Sequence, residues 1–148
     1  MFANKIVKLQ SVSSGRLLDG RGGQAEPLLA DASRADNFVF WKLEPSGSNW
    51  LIRSVSSGRV IDGRGGQKEP LLADAARNDV YVHWALDPVG AHWRIRSVSS
   101  GRVLDGRGGE TEPLLADGAR NDAYVHWKIE SVAEEVYIDK KFIYLFIP

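Results

Sequence analysis

Cysteine is absent from this 148-residue chain. That excludes disulfides, thiol chemistry and cysteine–zinc sites, and it mildly favours a cytosolic setting. Histidine is scarce: His83, His92 and His126 are the whole set, too few and too spread out for a metal cluster, so no metal or other cofactor is expected. Charge of one sign is not in excess either. Nineteen Lys and Arg balance nineteen Asp and Glu, which leaves no basic stripe of the kind that neutralises phosphates, and no nucleic-acid partner is expected. No apolar run reaches 18 residues, so neither a transmembrane helix nor membrane insertion is expected. The first residues, Met1-Phe2-Ala3-Asn4-Lys5-Ile6-Val7-Lys8, lack the apolar stretch of a signal peptide. The expected location is the cytoplasm, or release without a classical signal.

What the chain does have, it has three times. Asp19-Gly20-Arg21-Gly22-Gly23 recurs as Asp62-Gly63-Arg64-Gly65-Gly66 and as Asp105-Gly106-Arg107-Gly108-Gly109, at intervals of 43 residues. Trp41, Trp84 and Trp127 keep the same interval, as do Trp50 and Trp93. Residues 50–92 and 93–135 are identical at 30 of 43 positions. A repeat of this length is one supersecondary unit that cannot bury its apolar face alone, and whatever site one copy carries is expected up to three times, as up to three equivalent sites.

Within the second copy, Trp50–Val55 alternates and stops at Ser56-Ser57-Gly58, which reads as a strand and a turn. Arg59–Asp62 is a short second strand ending in a glycine-rich segment whose positions tolerate positive φ. Pro70–Asp74 is a third strand with proline at its start. Ala75–Asp79 is a loop, Val80–Leu86 a fourth alternating strand and Asp87–Gly90 a turn. Alternation places Val82, Trp84 and Leu86 on one face, toward a core, and Tyr81, His83 and Ala85 on the other. Four short strands in three copies predict one all-β domain over residues 1–148, a β-trefoil with repeats at about 7–49, 50–92 and 93–135. A propeller usually needs more blades and an open solenoid needs polar caps.

The repeated polar residues define the candidate site. Asp19, Asp62 and Asp105 end the second strand, and Asp31, Asp74 and Asp117 end the third. Arg34, Arg77 and Arg120 lie in the loop that follows, joined in copies two and three by Asn78 and Asn121. Together with Arg21, Gly22, Gly23, Arg64, Gly65, Gly66, Arg107, Gly108 and Gly109 they bring acids, guanidinium, amide and open backbone to two strand ends and a loop. Carboxylates accept hydrogen bonds from vicinal hydroxyls, Arg and Asn donate to sugar oxygens, and an aromatic ring covers the apolar sugar face. Tyr81, His83, Tyr124 and His126 are candidates for the stacking position. The pattern therefore predicts glycan partners. The structural alternative is that Asp62 caps its own glycine turn and pairs with Arg64 or Arg77. Copy one differs, with Ala35, Phe38 and Phe40 where copy two has Asn78, Tyr81 and His83, so a ligand site there should be weaker or different.

Enzymatic readings have less to stand on. The repeated serines fall in Ser-Ser-Gly turns, the glycine-rich segment lacks the Gly-Lys-Ser/Thr ending of a P-loop, and three near-equal copies do not single out one catalytic centre. The pair Asp62 and Asp74 keeps a glycosidase conceivable. A protein-binding trefoil, such as a protease inhibitor or a cytoskeletal cross-linker, is the alternative to a lectin, although inhibitors of that fold use a loop that breaks the symmetry and none does so within 5–131.

Ser-Gly-Arg, a short strand, a five-residue Gly-Gly motif, then Leu-Leu and a polar loop resemble β-trefoil lectins, above all the mussel galactose-binding lectins of the MytiLec type, over roughly residues 5–131. Their repeats carry His-Pro-x-Gly-Gly and His-x-Asp-x-His motifs. Here Asp62 stands at the first histidine and Gly63 at the proline, while Asp74, Ala76 and Asn78 occupy the second motif. The resemblance implies a multivalent agglutinin for terminal galactose or N-acetylgalactosamine. Ricin-B-type lectins are a more distant likeness, and Val82-His83-Trp84 replaces their Gln-x-Trp.

The period ends near Ser131. Residues 136–148 are rich in β-branched and aromatic side chains, an aggregation hazard if left bare. Either the chain's own barrel or a second subunit must cover them. A homodimer contact is favoured over a hairpin, turning at Asp139-Lys140-Lys141, that seals the barrel.

Overall fold

The alternating segments of each repeat form strands in the computed structural model, which describes residues 2–20, 29–31, 37–63, 72–74, 78–106, 115–117 and 122–146, with the backbone alone at 29–31, 72–74 and 115–117. Copy one supplies β1 (Lys5–Ser11), β2 (Leu17–Asp19), β3 (Leu29–Asp31) and β4 (Trp41–Ser46). Copy two supplies β5 (Asn49–Ser54), β6 (Val60–Asp62), β7 (Leu72–Asp74) and β8 (Trp84–Val89), and copy three β9 (His92–Ser97), β10 (Val103–Asp105), β11 (Leu115–Asp117) and β12 (Trp127–Ile138). A last strand, β13 (Lys141–Phe146), follows the repeats.

Antiparallel pairing runs β1–β4–β5–β8–β9–β12 and returns to β1, closing a six-stranded barrel. The hairpins β2–β3, β6–β7 and β10–β11 branch from β1, β5 and β9. This is the β-trefoil expected from the repeats.

Three-fold sets of side chains fill the barrel: Trp41, Trp84 and Trp127, then Leu9, Ile52 and Ile95, then Leu18, Ile61 and Leu104, all without solvent exposure. Burying each such side chain contributes about 1.5–3 kcal/mol. Every central tryptophan also satisfies its polar atom, donating its indole N–H to the carbonyl of Leu18, Ile61 or Leu104 at 3.0, 2.9 and 2.9 Å. Val7 stands in copy one where Trp50 and Trp93 stand in the others, and Phe2 joins this part of the core, its ring edge-on to Trp93 at 5.3 Å.

Two local features differ from the expectation. Val80–Val82 is a turn of 3-10 helix, as are Asn37–Val39 and Ala123–Val125, and β8 begins only at Trp84. The assignment of faces survives, with Val82 and Trp84 buried and Tyr81 exposed. The glycine after each strand-two aspartate is needed for closeness and not for positive φ. A Cβ on Gly63 would lie 2.9 Å from the Ser97 hydroxyl and 3.1 Å from the Trp84 ring, and Gly20 and Gly106 are equally tight. Left-handed glycines are instead found in the Ser-Ser-Gly turns, Gly15, Gly58 and Gly101 at φ 75, 76 and 76°, and in the β4–β5 and β8–β9 turns, Gly47 and Gly90 at φ 64 and 60°. In the Ser-Ser-Gly turns the arrangement is the same three times. There the buried Ser11, Ser54 and Ser97 hydroxyls bond within the turn.

Cross-strand ion pairs also follow the period. Arg53 grips Glu44 with two hydrogen bonds at 2.8 and 2.9 Å, and Arg96 grips Asp87 at 2.8 and 3.3 Å. Where copy three meets copy one, Gln10 of β1 takes the arginine position and Lys8 pairs with Glu130 of β12 at 3.3 Å. Burial pushes the Glu44 carboxyl up, but the hydrogen bonds and charge of Arg53, with Lys42 beside it, outweigh this and hold it below its ordinary value. The Arg96 hydrogen bonds hold Asp87 low as well. Both folded-state values being depressed, these pairs add stability above the unfolded carboxylate range and lose it as pH falls, beginning below about pH 5. Melting temperature is therefore expected to drop on acidification, and R53M/R96M should flatten that part of the profile. An unchanged slope in this variant would dismiss the two pairs as its source.

After the repeats, β12 runs on to pair with β13, from Ala133↔Phe146 to Ile138↔Lys141. Asp139 and Lys140, at φ 53 and 63°, form the two-residue turn, a left-handed pair of the kind that matches strand twist. The hairpin allowed by the Asp139-Lys140-Lys141 break does form, and every residue of β13 keeps part of its surface exposed.

Candidate functional site

Strand two of each copy ends beside the 3-10 turn of the same copy. The N–H of Gly63 donates to the carbonyl of Tyr81 at 2.9 Å, that of Gly106 to Tyr124 at 2.9 Å, and that of Gly20 to Phe38 at 2.8 Å. Aspartate, glycine backbone and an aromatic side chain are thereby brought together three times. Asp79 caps its turn by accepting the Tyr81 N–H at 3.1 Å, and Asp122 does the same for Tyr124 at 3.1 Å. This is the standard satisfaction of an orphan N–H by a short acid, and it fixes the backbone of the turn. Tyr81 and Tyr124 stand 43 and 45% exposed, and Phe38 39%.

In copy two the imidazole and the amide meet. His83 Nε2 lies 2.6 Å from Asn78 Oδ1, so the ring donates to the amide carbonyl. The Ser46 hydroxyl completes a triangle, 3.3 Å from His83 Nε2 and 3.5 Å from Asn78 Oδ1. With Oδ1 so used, the exposed Asn78 has its Nδ2 donors to offer. Ser46 comes from β4 of the preceding copy, and its repeat equivalents are Val89 and Val132. The periodicity pointed away from it; the break in periodicity at position 46 was the signal. Asp79 and Asp122 were also passed over, though each stands where an N-cap is expected.

Asp19, Asp62 and Asp105 are nearly enclosed, at 2, 4 and 4% exposure, and each is engaged within the chain. Asp31, Asp74 and Asp117 end the third strand as expected. Asp62 faces Leu72 while Asp74 faces Val60, so the acids considered as a hydrolytic pair sit at opposite ends of the hairpin ladder. Arg21, Gly22, Gly23, Arg34, Arg64, Gly65, Gly66, Arg77, Arg107, Gly108, Gly109, Arg120 and Asn121 lie outside the described residues. Among the described residues no group of three His, Asp or Glu is arranged to hold a metal ion.

Copy one is built differently. Phe40, at the position of His83 and His126, is buried against Ile6, Val39 and Ala133. Its ring centroid is 6.0 Å from that of Phe146 on β13. An apolar ring covered by the C-terminal hairpin replaces the polar imidazole.

A family model for ricin-type β-trefoil lectin-like domains matches residues 34–124. The chain belongs to this family. The ricin-type relation, read from the sequence as the more distant one, is thus the one that is shown. A designed three-fold symmetric protein, ThreeFoil, shares the fold at a TM-score of 0.79 and 14% identity, over 86% of this chain and 99% of its own. The ricin B-like lectin of Macrolepiota procera, solved with lactose, superposes at 0.75 with 19% identity over 88 and 98%. The Polyporus squamosus lectin, solved with the epitope Neu5Aca2-6Galb1-4GlcNAc, gives 0.78 with 14% identity over 91% of this chain and 51% of its own. No curated protein matches the chain.

Proposed function

We propose that the protein is a non-enzymatic lectin whose working sites lie in copies two and three. The observation that carries this reading is the polar cluster of copy two: the Asn78 amide, the His83 imidazole and the Ser46 hydroxyl, flanking the 3-10 turn that bears the exposed Tyr81 and is linked through Gly63 to the end of β6. Such a set offers a ring for the apolar face of a sugar and fixed donors for its hydroxyls. Copy three keeps Asn121, Tyr124 and His126 in the sequence, with Val89 in place of Ser46, and copy one lacks the amide, the phenol and the imidazole. The valency is accordingly two per chain, not three. Terminal galactose or N-acetylgalactosamine is the proposed ligand, on the likeness to mussel lectins and the lactose complex of the Macrolepiota procera lectin. Single shallow sites bind at about millimolar strength, roughly −4 kcal/mol, and engagement of several glycans at once supplies the avidity that agglutinates cells.

A glycan array read with and without free galactose and N-acetylgalactosamine tests this. Galactoside-terminated glycans are expected to bind and to be displaced by the free sugars. Binding restricted to other glycans would discard the galactose assignment and keep the lectin, whereas a blank array would overturn the lectin itself.

A further inference from the structure

The largest unexplained feature of the molecule is the bare hairpin of β12 and β13. On one face lie Tyr137, Phe142, Tyr144 and Phe146, and on the other Val136, Ile138, Ile143 and Leu145, since directly opposed residues share a face. The Tyr137 and Phe142 rings meet at a tilt of 48°, their centroids 4.9 Å apart, and Phe146 reaches Phe40, yet Phe142 remains 69% exposed and Tyr137 62%. Among the described residues β13 pairs with β12 alone, which leaves its outer edge open.

We infer that this hairpin is a dimerisation element and that its occupant is a second copy of the same chain. The seven large apolar side chains from Tyr137 to Phe146 expose roughly 700 Å² between them, taking about 200 Å² for a whole aromatic side chain and the exposures observed. The aromatic face holds roughly 450 Å² of this, within the largest patch that a monomer ordinarily leaves bare, about 300–600 Å²; only an occupant that covers both faces buries an area close to the ~800 Å² that each partner contributes to a stable interface. A lipid bilayer is the poorer occupant. The hairpin tip, the part that would enter first, is Asp139-Lys140-Lys141, and charges are costly to carry into hydrocarbon. Two hairpins related by a twofold axis meet the requirement without any other partner, because such a contact uses the same patch on both subunits. The hairpin is also seated where it obstructs least. It covers copy one, through Phe146 on Phe40, which is the copy lacking the amide, phenol and imidazole. The pairing does not depend on sugar binding; only its consequence does, that two sites per chain become four per dimer.

Light scattering coupled to gel filtration tests the pairing on the intact chain, with no sugar present. The wild type is expected at twice the mass of one chain at micromolar concentration. The variant F142K/L145K, which charges one position on each face and touches neither the barrel core nor the proposed sites, is expected at the mass of one chain. Near-ultraviolet circular dichroism of the buried tryptophans would verify that the variant is folded. Should it not fold, the single variants F142K and L145K are read for a concentration-dependent fall in mass. A wild type of single-chain mass across the concentration range, or a folded double variant that stays dimeric, would overturn the inference. So would cosedimentation of single-chain wild type with phosphatidylcholine vesicles, which would assign the hairpin to a membrane. Loss of agglutination in the double variant with array binding kept would tie the dimer to valency, and a blank array in the wild type would sink the lectin reading while leaving the mass measurement standing.

Discussion

Trp84→Ala is expected to lower the unfolding free energy by about 5 kcal/mol, measured by guanidinium titration with far-ultraviolet circular dichroism. Truncating a wholly buried tryptophan costs roughly 3–5 kcal/mol through lost transfer energy and the cavity left behind. The carbonyl of Ile61, which accepts the indole N–H at 2.9 Å, is left without that partner, and an unsatisfied buried polar group adds about 1–3 kcal/mol. Against a typical total of about 5–15 kcal/mol this is enough to leave the domain marginal. Trp84→Phe separates the two contributions, since it keeps most of the volume and removes the donor; about 2 kcal/mol is expected. The effect should reach the site as well. Gly63 packs on the Trp84 ring and donates to the Tyr81 carbonyl, so a cavity at Trp84 loosens the link that holds Tyr81 beside the end of β6. A loss of less than about 2 kcal/mol for Trp84→Ala would mean that the central tryptophans do not organise the core as described.

The scaffold was legible in the sequence because period and packing coincide. Identical spacing of Trp41, Trp84 and Trp127 puts the same indole in the same layer three times, and a barrel with three hairpins is what such a unit closes into. The 3-10 turns were not legible. Val80-Tyr81-Val82-His83 alternates as a strand does, and its departure is due to Asp79, whose carboxylate caps the Tyr81 N–H and draws the chain into a tight turn before β8 starts. Ser46 was hidden for the opposite reason, since a residue present in one copy alone carries no periodic signal. The hairpin at Asp139 and Lys140 was readable as a break, but its exposure was not, because burial depends on what lies across from a strand. Copy one shows the limit most plainly. Its Phe40 marked it as different, and only the fold shows Phe146 lying over that ring.

Removing both exposed phenols, Y81A together with Y124A, is expected to cut agglutination titre by about 100-fold while leaving the melting curve within a degree or two. Each ring stands 43 to 45% exposed, so its loss opens no cavity, and surface changes of this kind usually stay within about 0.5 kcal/mol of the wild type. An aromatic platform contributes about 0.5–1.5 kcal/mol to a stacked contact. Near the upper end that is close to tenfold per site, and two weakened sites multiply in a multivalent contact. Phe38→Ala is the control. Its ring is 39% exposed and its carbonyl accepts the Gly20 N–H at 2.8 Å as its equivalents do, but copy one has Ala35 and the covered Phe40 where copy two has Asn78 and His83, and no change in titre is expected. Y81A alone discriminates further. A single-chain agglutinin with two sites would lose cross-linking altogether, whereas a dimer keeps one intact copy-three site on each chain and still bridges two cells. Equal losses for Phe38→Ala and Tyr81→Ala would refute the two-site assignment, because the three copies would then be acting alike in spite of Phe40.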